Sequence, residues 1–169
     1  MAQFLEGVFS LTYWEIVVDI HGLLGMLLLI LFGTALILYA SLDKFAQAVR
    51  WLKYTLLALA LNLIAVDLFG LYSYGAYRAA DGPRTLLKSS PDTAWLHEIL
   101  FEHKEMLAYA PWLMILAALV IVAIMGDQLK SKEARTLRFV VLFSIAVSLA
   151  YVLVIAGEAV LITKVAPLR

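Results

Sequence analysis

The 169-residue chain has no cysteine and few charged side chains. Without cysteine it cannot form disulfides, thiolate metal sites, iron–sulfur clusters or the covalent attachment of a c-type haem. Its 13 basic and 13 acidic residues give a formal net charge of zero, so nothing indicates a polyanionic partner such as nucleic acid. No Lys or Arg precedes Lys44, and the N-terminus therefore lacks the basic region of a secretory signal peptide.

What the chain has in excess is apolar sequence. Hydrophobic residues make up 64% of it, and its mean hydropathy is +0.93, whereas an ordinary soluble domain is roughly 45–50% apolar. A membrane-spanning helix needs roughly 20 mostly apolar residues. Four segments reach that length: 14–40, 51–77, 95–125 and 137–163. Because backbone groups in lipid must be paired within their own segment, the sequence predicts an all-α integral membrane four-helix bundle, one domain over 1–169.

The distribution of basic residues predicts an orientation. They concentrate in the two loops that follow the first and third apolar segments: Lys44, Arg50, Lys53, Lys130, Lys132, Arg135 and Arg138. By the positive-inside rule these loops face the cytoplasm, so both termini and the middle loop face outward. We therefore expect an integral protein of a prokaryotic plasma membrane with both termini outside.

A weak internal similarity links the first and third segments. The stretch "WEIVVDIHG" aligns with "HEILFEHKE", which superposes Glu15 and Asp19 on Glu98 and Glu102. One interpretation is a duplicated helical hairpin, with a pseudo-two-fold axis along the membrane normal. The other is that apolar helices resemble one another in composition, and both interpretations stay open.

Two histidines fall within predicted spans at similar depth. His21 follows Trp14 by seven residues and His103 follows Trp95 by eight, which places each roughly 10 Å beyond an interfacial aromatic ring. A histidine from each of two helices can supply both axial ligands of a haem iron. Neutral imidazole also binds other transition metals, and a buried histidine can simply be hydrogen-bonded to a carboxylate or carbonyl. The sequence leaves all three open.

Carboxylates accompany these histidines. Zinc, iron, manganese or copper would suit such a mixture of carboxylate and imidazole. The candidate metal ligands are His21, His103, His97, Glu15, Asp19, Glu98 and Glu102. His97 is interpreted as either an alternate ligand or a surface residue.

Two further acids, Asp67 and Glu158, lie inside the second and fourth apolar segments. An intramembrane acid indicates function by default, through proton transfer, a hydrogen bond to histidine or a quinone contact. The alternative is a protonated acid in an interhelical hydrogen bond. We expect both side chains to face the bundle interior.

The stretches "DIHGLLG" at 19–25 and "HEILFEHKE" at 97–105, without a haem-attachment cysteine motif, resemble small four-helix haem-b membrane cytochromes. The resemblance implies a membrane electron-transfer subunit that binds one b-type haem near the outer face through His21 and His103. Arg78 and Arg84 lie just beyond the membrane on that side, where bidentate guanidinium groups could bind the haem propionates.

Such a subunit is expected to exchange electrons with quinone or with a larger respiratory complex, alongside other membrane subunits in the lipid bilayer. Two alternatives remain: a membrane subunit with a non-haem carboxylate–histidine metal site, and a structural or assembly subunit of a larger membrane complex. Whether the chain catalyses a reaction stays open.

Overall fold

The computed structural model describes residues 12–168, which are mostly helical and contain no strand. Four helical segments are long and apolar enough to cross a membrane, which confirms the predicted all-α four-helix bundle and gives the chain the build of an integral membrane protein. In chain order the helices are α1 (Tyr13–Ala40), α2 (Ala48–Tyr77), α3 (Pro83–Lys88), α4 (Pro91–Trp95), a π-helix (Leu96–Phe101), α5 (Glu102–Leu107), α6 (Tyr109–Met125), a 3-10 helix (Gly126–Lys130) and α7 (Arg135–Val165).

The third span is one continuous helical segment of 40 residues, Pro91–Lys130. It begins four residues before the predicted segment because Pro91 occupies the first helical turn and the Ser90 hydroxyl caps it. The first span begins with a capping box, in which Thr12 and Glu15 each pair with the other's backbone N–H. A prediction from the length of an apolar segment alone does not detect these polar first turns.

The spans pack as a ring in which each contacts the next: α1 with α2, α2 with α6, α6 with α7, and α7 with α1. The contact between α1 and α7 is the least extensive of the four. Fully buried side chains such as Phe32, Leu56 and Ile115 fill the centre. The outer surfaces are apolar too: Ile30 is 66% exposed and Ile124 is 77% exposed. Such surfaces suit a lipid environment and not water.

The bundle has two chemically different ends. The basic end contains the loops at 41–47 and 126–134, and the histidine end contains 78–101, the start of α1 and the end of α7. Residues 1–11 and 169 lie outside the described residues. The predicted orientation of the two termini also concerns these residues.

Hydrogen bonds join the two loops at the basic end. The Lys130 ammonium donates to the Ala46 carbonyl at 3.0 Å, and the Arg138 guanidinium donates to both carboxylate oxygens of Asp43 at 3.1 and 2.8 Å. This guanidinium holds the pKa of Asp43 below its ordinary value. The basic residues used to predict orientation therefore gather at one end of the bundle.

The π-helix was not predicted, and it coincides with the "HEILFEHKE" motif. Its wider turn accompanies the burial of both His97 and Phe101, whose rings pack against Tyr77 of α2. Glu98, in the same turn, points away and is exposed. Turns of this kind are rare and occur frequently at functional sites.

Candidate functional site

A histidine–carboxylate pair joins the third span to α7 at the histidine end. His103 Nδ1 lies 2.5 Å from Glu158 Oε1, a short hydrogen-bond contact. The Glu158 side chain is 10% exposed, whereas the His103 side chain is 48% exposed. The imidazole therefore lies between the outer surface of the bundle and a carboxyl group inside it.

Lys104 is the functional candidate that the sequence analysis missed. Its ammonium lies 4.9 Å from the centre of the Phe101 ring. It is within electrostatic range of Glu105, Glu158 and Asp67, and also of His21. Among the ion pairs within 4.0 Å in the described chain, none involves Lys104. A lysine more than a helical turn inside a predicted span was the signal that could have identified it.

His21 of α1 faces α2 on the opposite side of this region. Its Nδ1 is buried and has no hydrogen-bond partner within residues 12–168. Gly70 lies directly opposite, where an added Cβ would sit 3.7 Å from the imidazole Cε1. Because Gly70 has no side chain, the His21 imidazole can lie against α2 at this position. A buried polar atom without a partner is uncommon and calls for an explanation.

The two intramembrane acids show the same feature. Asp67 Oδ2 and Glu158 Oε2 are both buried, and neither has a partner among the described residues. Asp67 is partly buried in α2, and Glu158 is buried in α7. Each carboxyl group thus has one oxygen that no protein donor satisfies.

A cavity of about 120 Å³ opens beside these groups, between α1, α2, the third span and α7. His21 and Lys104 line it, and so do aromatic side chains of α2 and the π-helix. Its wall includes His21, Tyr74, Tyr77, Phe101, Lys104 and Ala159. His103, Asp67 and Glu158 do not line the cavity.

His97 occupies a different environment from the other two histidines. It is 3% exposed, so its interpretation as a surface residue is wrong. Its Nδ1 lies 3.0 Å from the Tyr77 hydroxyl, and the Arg84 Nε–H donates to its Nε2 at 3.3 Å. Because arginine can only donate, Nε2 must be unprotonated, and Nδ1 carries the proton of the neutral ring. Both ring nitrogens of His97 therefore have a hydrogen-bond partner. Glu102 Oε1 also lies 3.8 Å from the Nε2 of His97.

The other predicted site residues do not gather around the histidines. Glu15 serves in the capping box of α1, and Asp19 is exposed. Glu98 is exposed and lies 4.0 Å from Lys88. Arg78 packs its guanidinium over the Tyr74 ring, 4.4 Å from its centre.

Within residues 12–168 no group of three His, Asp or Glu side chains is placed to hold a metal ion. The structure thus brings together His103 with Glu158 and His97 with Arg84, but not the larger ligand set.

Comparisons with protein-family models, with curated proteins and with solved structures find no match for this chain. Its chemistry must therefore be argued from its own residues.

Five ionisable side chains form what we call the ionisable cluster: His21, Asp67, Lys104, His103 and Glu158. On their helical segments they lie roughly 10–20 Å inside the ends, at 1.5 Å per residue. At that depth an ionised side chain is expensive unless it is paired, and ionisable residues at such positions mark substrate or ion pathways and proton relays. The cluster contains both protonatable bases and unsatisfied carboxyl oxygens, which is the chemistry that proton exchange requires.

Proposed function

We propose that this chain is a membrane-embedded subunit that exchanges protons through the ionisable cluster at its histidine end. The observation that carries the proposal is the 2.5 Å contact between the half-exposed His103 and the buried Glu158. A proton taken up by the accessible imidazole can pass directly to the interior carboxyl group. Exposed acids nearby, Glu98 and Glu102, would raise the local proton concentration at this end.

Lys104 supports the same proposal from inside the bundle. With Asp67 and Glu158 both ionised, the cluster would hold two negative charges against one ammonium, in a region of low dielectric constant. Such an excess is costly, so Glu158, the acid in contact with His103, is expected to bind a proton. Its buried Oε2, which has no donor within residues 12–168, is then the place where that proton resides. What changes at this site is thus the number of protons bound to the ionisable cluster.

The proposal can be tested by infrared spectroscopy of the purified protein in lipid nanodiscs, titrated from about pH 5 to pH 9. We expect the carbonyl stretch of a protonated carboxyl group to change with pH and to shift in D₂O. Glu158→Gln should remove that band, and His103→Gln should slow the exchange of its proton with deuterium. Glu98→Gln, which alters an exposed acid, is the matched control and should leave the band unchanged. An infrared band that persists in Glu158→Gln, or the absence of any titrating carboxyl band in the wild type, would contradict the proposal.

Electron transfer through a b-type haem is a second candidate, and one specific observation favours it. His21 Nδ1 is buried without a partner and faces the space that Gly70 leaves open. A metal-bound imidazole would explain an unsatisfied nitrogen of this kind. In that function the chain would pass electrons between quinone and a larger respiratory complex.

The residues around His21 do not fit a haem in the arrangement observed. The cavity of about 120 Å³ is smaller than the roughly 300–1,000 Å³ of common cofactor pockets. His103 is engaged by Glu158, and Arg84 is engaged by His97. The visible absorption spectrum of the purified protein decides the matter: a Soret band that His21→Ala abolishes and His97→Ala preserves would establish haem as the cofactor. A colourless protein with stoichiometric zinc, iron, manganese or copper would instead favour a non-haem metal site.

We further propose that the basic end faces the cytoplasm of a prokaryotic cell. The lysine and arginine residues gathered there support this orientation. Because the chain has no native cysteine, single cysteines at Ser131 of the basic end and Ser89 of the histidine end give unambiguous labels. In intact spheroplasts a membrane-impermeant maleimide should modify Ser89→Cys and spare Ser131→Cys. The reverse pattern of labelling would overturn the orientation.

A further inference from the structure

From the basic end of the bundle we infer a binding site for the phosphate group of an anionic phospholipid. The site is a cleft of about 270 Å³ between the first two turns of α2 and the end of α6, which we call the basic cleft. It lies at the opposite end of the bundle from the ionisable cluster, and no residue of that cluster lines it. The inference is therefore independent of the proposed proton exchange.

Each of the two helices contributes one side of the basic cleft. On α2 the wall is formed by Val49, Arg50 and Lys53. Lys53 follows the other two by four and three residues, so all three side chains lie on the same side of the helix. On α6 the wall is formed by Val122 and Ala123, in the last turn of that helix. Two basic side chains thus face an apolar helix end.

The basic cleft is open where α6 ends. Gly126, which also lines it, has a φ of 50°, and beyond its chain neighbours a Cβ added there would meet no atom within 4 Å. The loop before α2 is held in place by a hydrogen bond, in which Lys130 Nζ donates to the carbonyl of Ala46, another residue of the wall, at 3.0 Å. A head group would therefore enter an opening that already exists.

The basic cleft carries an excess of positive charge. Within residues 12–168, neither the Arg50 guanidinium nor the Lys53 ammonium has a carboxylate within 4.0 Å. An acid, Asp127, also lines the cleft, but its carboxylate lies 3.0 Å from the Lys130 ammonium. Two cations are therefore left for a ligand, and guanidinium and ammonium groups both bind phosphate.

The surroundings of the basic cleft favour a lipid as the source of the phosphate. Trp51 and Tyr54 of α2 are 51% and 47% exposed, and such rings lie at the level of the lipid head groups. The Lys53 ammonium lies 5.5 Å from the centre of the Tyr54 ring, which places it at the same level. On α6, Ala123 and Ile124 are exposed apolar positions that suit acyl chains. Basic pockets between membrane helices bind anionic lipid head groups.

The inference can be tested by native mass spectrometry of the purified full chain in detergent, titrated with phosphatidylglycerol or with phosphatidylcholine of the same acyl chains. One phosphatidylglycerol molecule should bind to the wild type roughly tenfold more tightly, or better, than phosphatidylcholine. A basic side chain near the membrane surface strengthens the binding of anionic lipid roughly fivefold. Arg50→Gln and Lys53→Gln should therefore each weaken phosphatidylglycerol binding roughly fivefold, and together roughly 25-fold.

Two further variants separate the basic cleft from the rest of the basic end. Ala123→Phe should weaken phosphatidylglycerol binding by filling the cleft without changing any charge. The double variant Lys44→Gln/Lys132→Gln removes two exposed charges at the same end but outside the cleft, and it should bind the lipid as the wild type does. Circular dichroism and size-exclusion chromatography establish that each variant is folded before its binding is interpreted.

Four outcomes would overturn the inference. The first is equal affinity of the wild type for the two lipids. The second is an equal loss of binding in the double variant of Arg50 and Lys53 and in its control, which would show a diffuse attraction by the whole basic end. The third is unchanged binding in folded Ala123→Phe. The fourth is displacement of the bound lipid by inorganic phosphate at the same concentration, which would show that the cleft selects free phosphate.

Discussion

Replacing Tyr77 by Phe tests whether His97 is a structural histidine, as its contacts indicate. The substitution removes one hydroxyl group and leaves the ring, so stacking on Phe101 is preserved. His97 Nδ1 then loses its partner at 3.0 Å in a site where the imidazole is 3% exposed. Leaving a buried polar group unsatisfied costs about 1–3 kcal/mol. The equilibrium constant for unfolding should therefore rise roughly fivefold to 150-fold.

The measurement is reversible unfolding by SDS in mixed micelles, followed by tryptophan fluorescence. Tyr72→Phe is the matched control, because it also removes one tyrosine hydroxyl that pairs with another side chain, Tyr13, but at an exposed position. We expect the control to change the free energy of unfolding by less than about 0.5 kcal/mol. Equal effects of the two substitutions would refute the assignment of a buried hydrogen bond to His97.

A double-mutant cycle with His97→Phe makes the test specific to the pair. In that background the Tyr77 hydroxyl has lost its partner, so removing it should no longer destabilise the protein. The coupling free energy between the two positions is expected to be about 0.5–3 kcal/mol, the range found for residues in contact. Strict additivity would indicate that the hydroxyl acts through some other contact.

Three further predictions concern the spans and the basic end. Phe32→Ala should lower the free energy of unfolding by about 3–5 kcal/mol, because the side chain is fully buried, whereas Ile30→Ala on the lipid-facing surface should change it little in the same SDS assay. Asn62→Leu removes the hydrogen bond to the Leu24 carbonyl at 3.0 Å and should cost roughly 0.6 kcal/mol, the average for such bonds between membrane helices; a loss several times larger would contradict this estimate. The stabilising pair of Asp43 and Arg138 should be fully present above the ordinary Asp pKa of 3.8 and lost as the pH falls through the lowered value. Thermal unfolding below about pH 4 should therefore be less pH-dependent in Asp43→Asn, and an unchanged acid dependence would contradict the role of this pair.

The spans were predictable because a membrane helix depends mainly on the residues of its own segment. A run of about 20 apolar residues has few alternatives to a membrane helix, and the four observed helices cover the four predicted segments. The ends extend beyond those segments where Thr12 and Ser90 supply caps. Caps depend on single side chains next to the helix, which average hydropathy does not register.

The site was less predictable because its contacts join distant parts of the chain. Glu158 and His103 are 55 residues apart, and Tyr77 and His97 are 20 apart. Sequence spacing identified both intramembrane acids and all three histidines, but not which histidine pairs with which partner. Glu98 and Glu102 were predicted as candidate metal ligands, and the π-helix between Leu96 and Phe101 changes the register of the turn that contains Glu98.

The contacts of His97 and His103 indicate different roles for the two histidines. His97 has both ring nitrogens occupied by Tyr77 and Arg84, so it ties the loop that follows α2 to the third span. His103 has one nitrogen on Glu158 and a side chain that is about half exposed. A proton added to His97 would put a second positive charge beside Arg84 and break an existing bond. A proton added to His103 would strengthen its bond to the Glu158 carboxylate, so of the two it is His103 that can take up a proton without disrupting the fold.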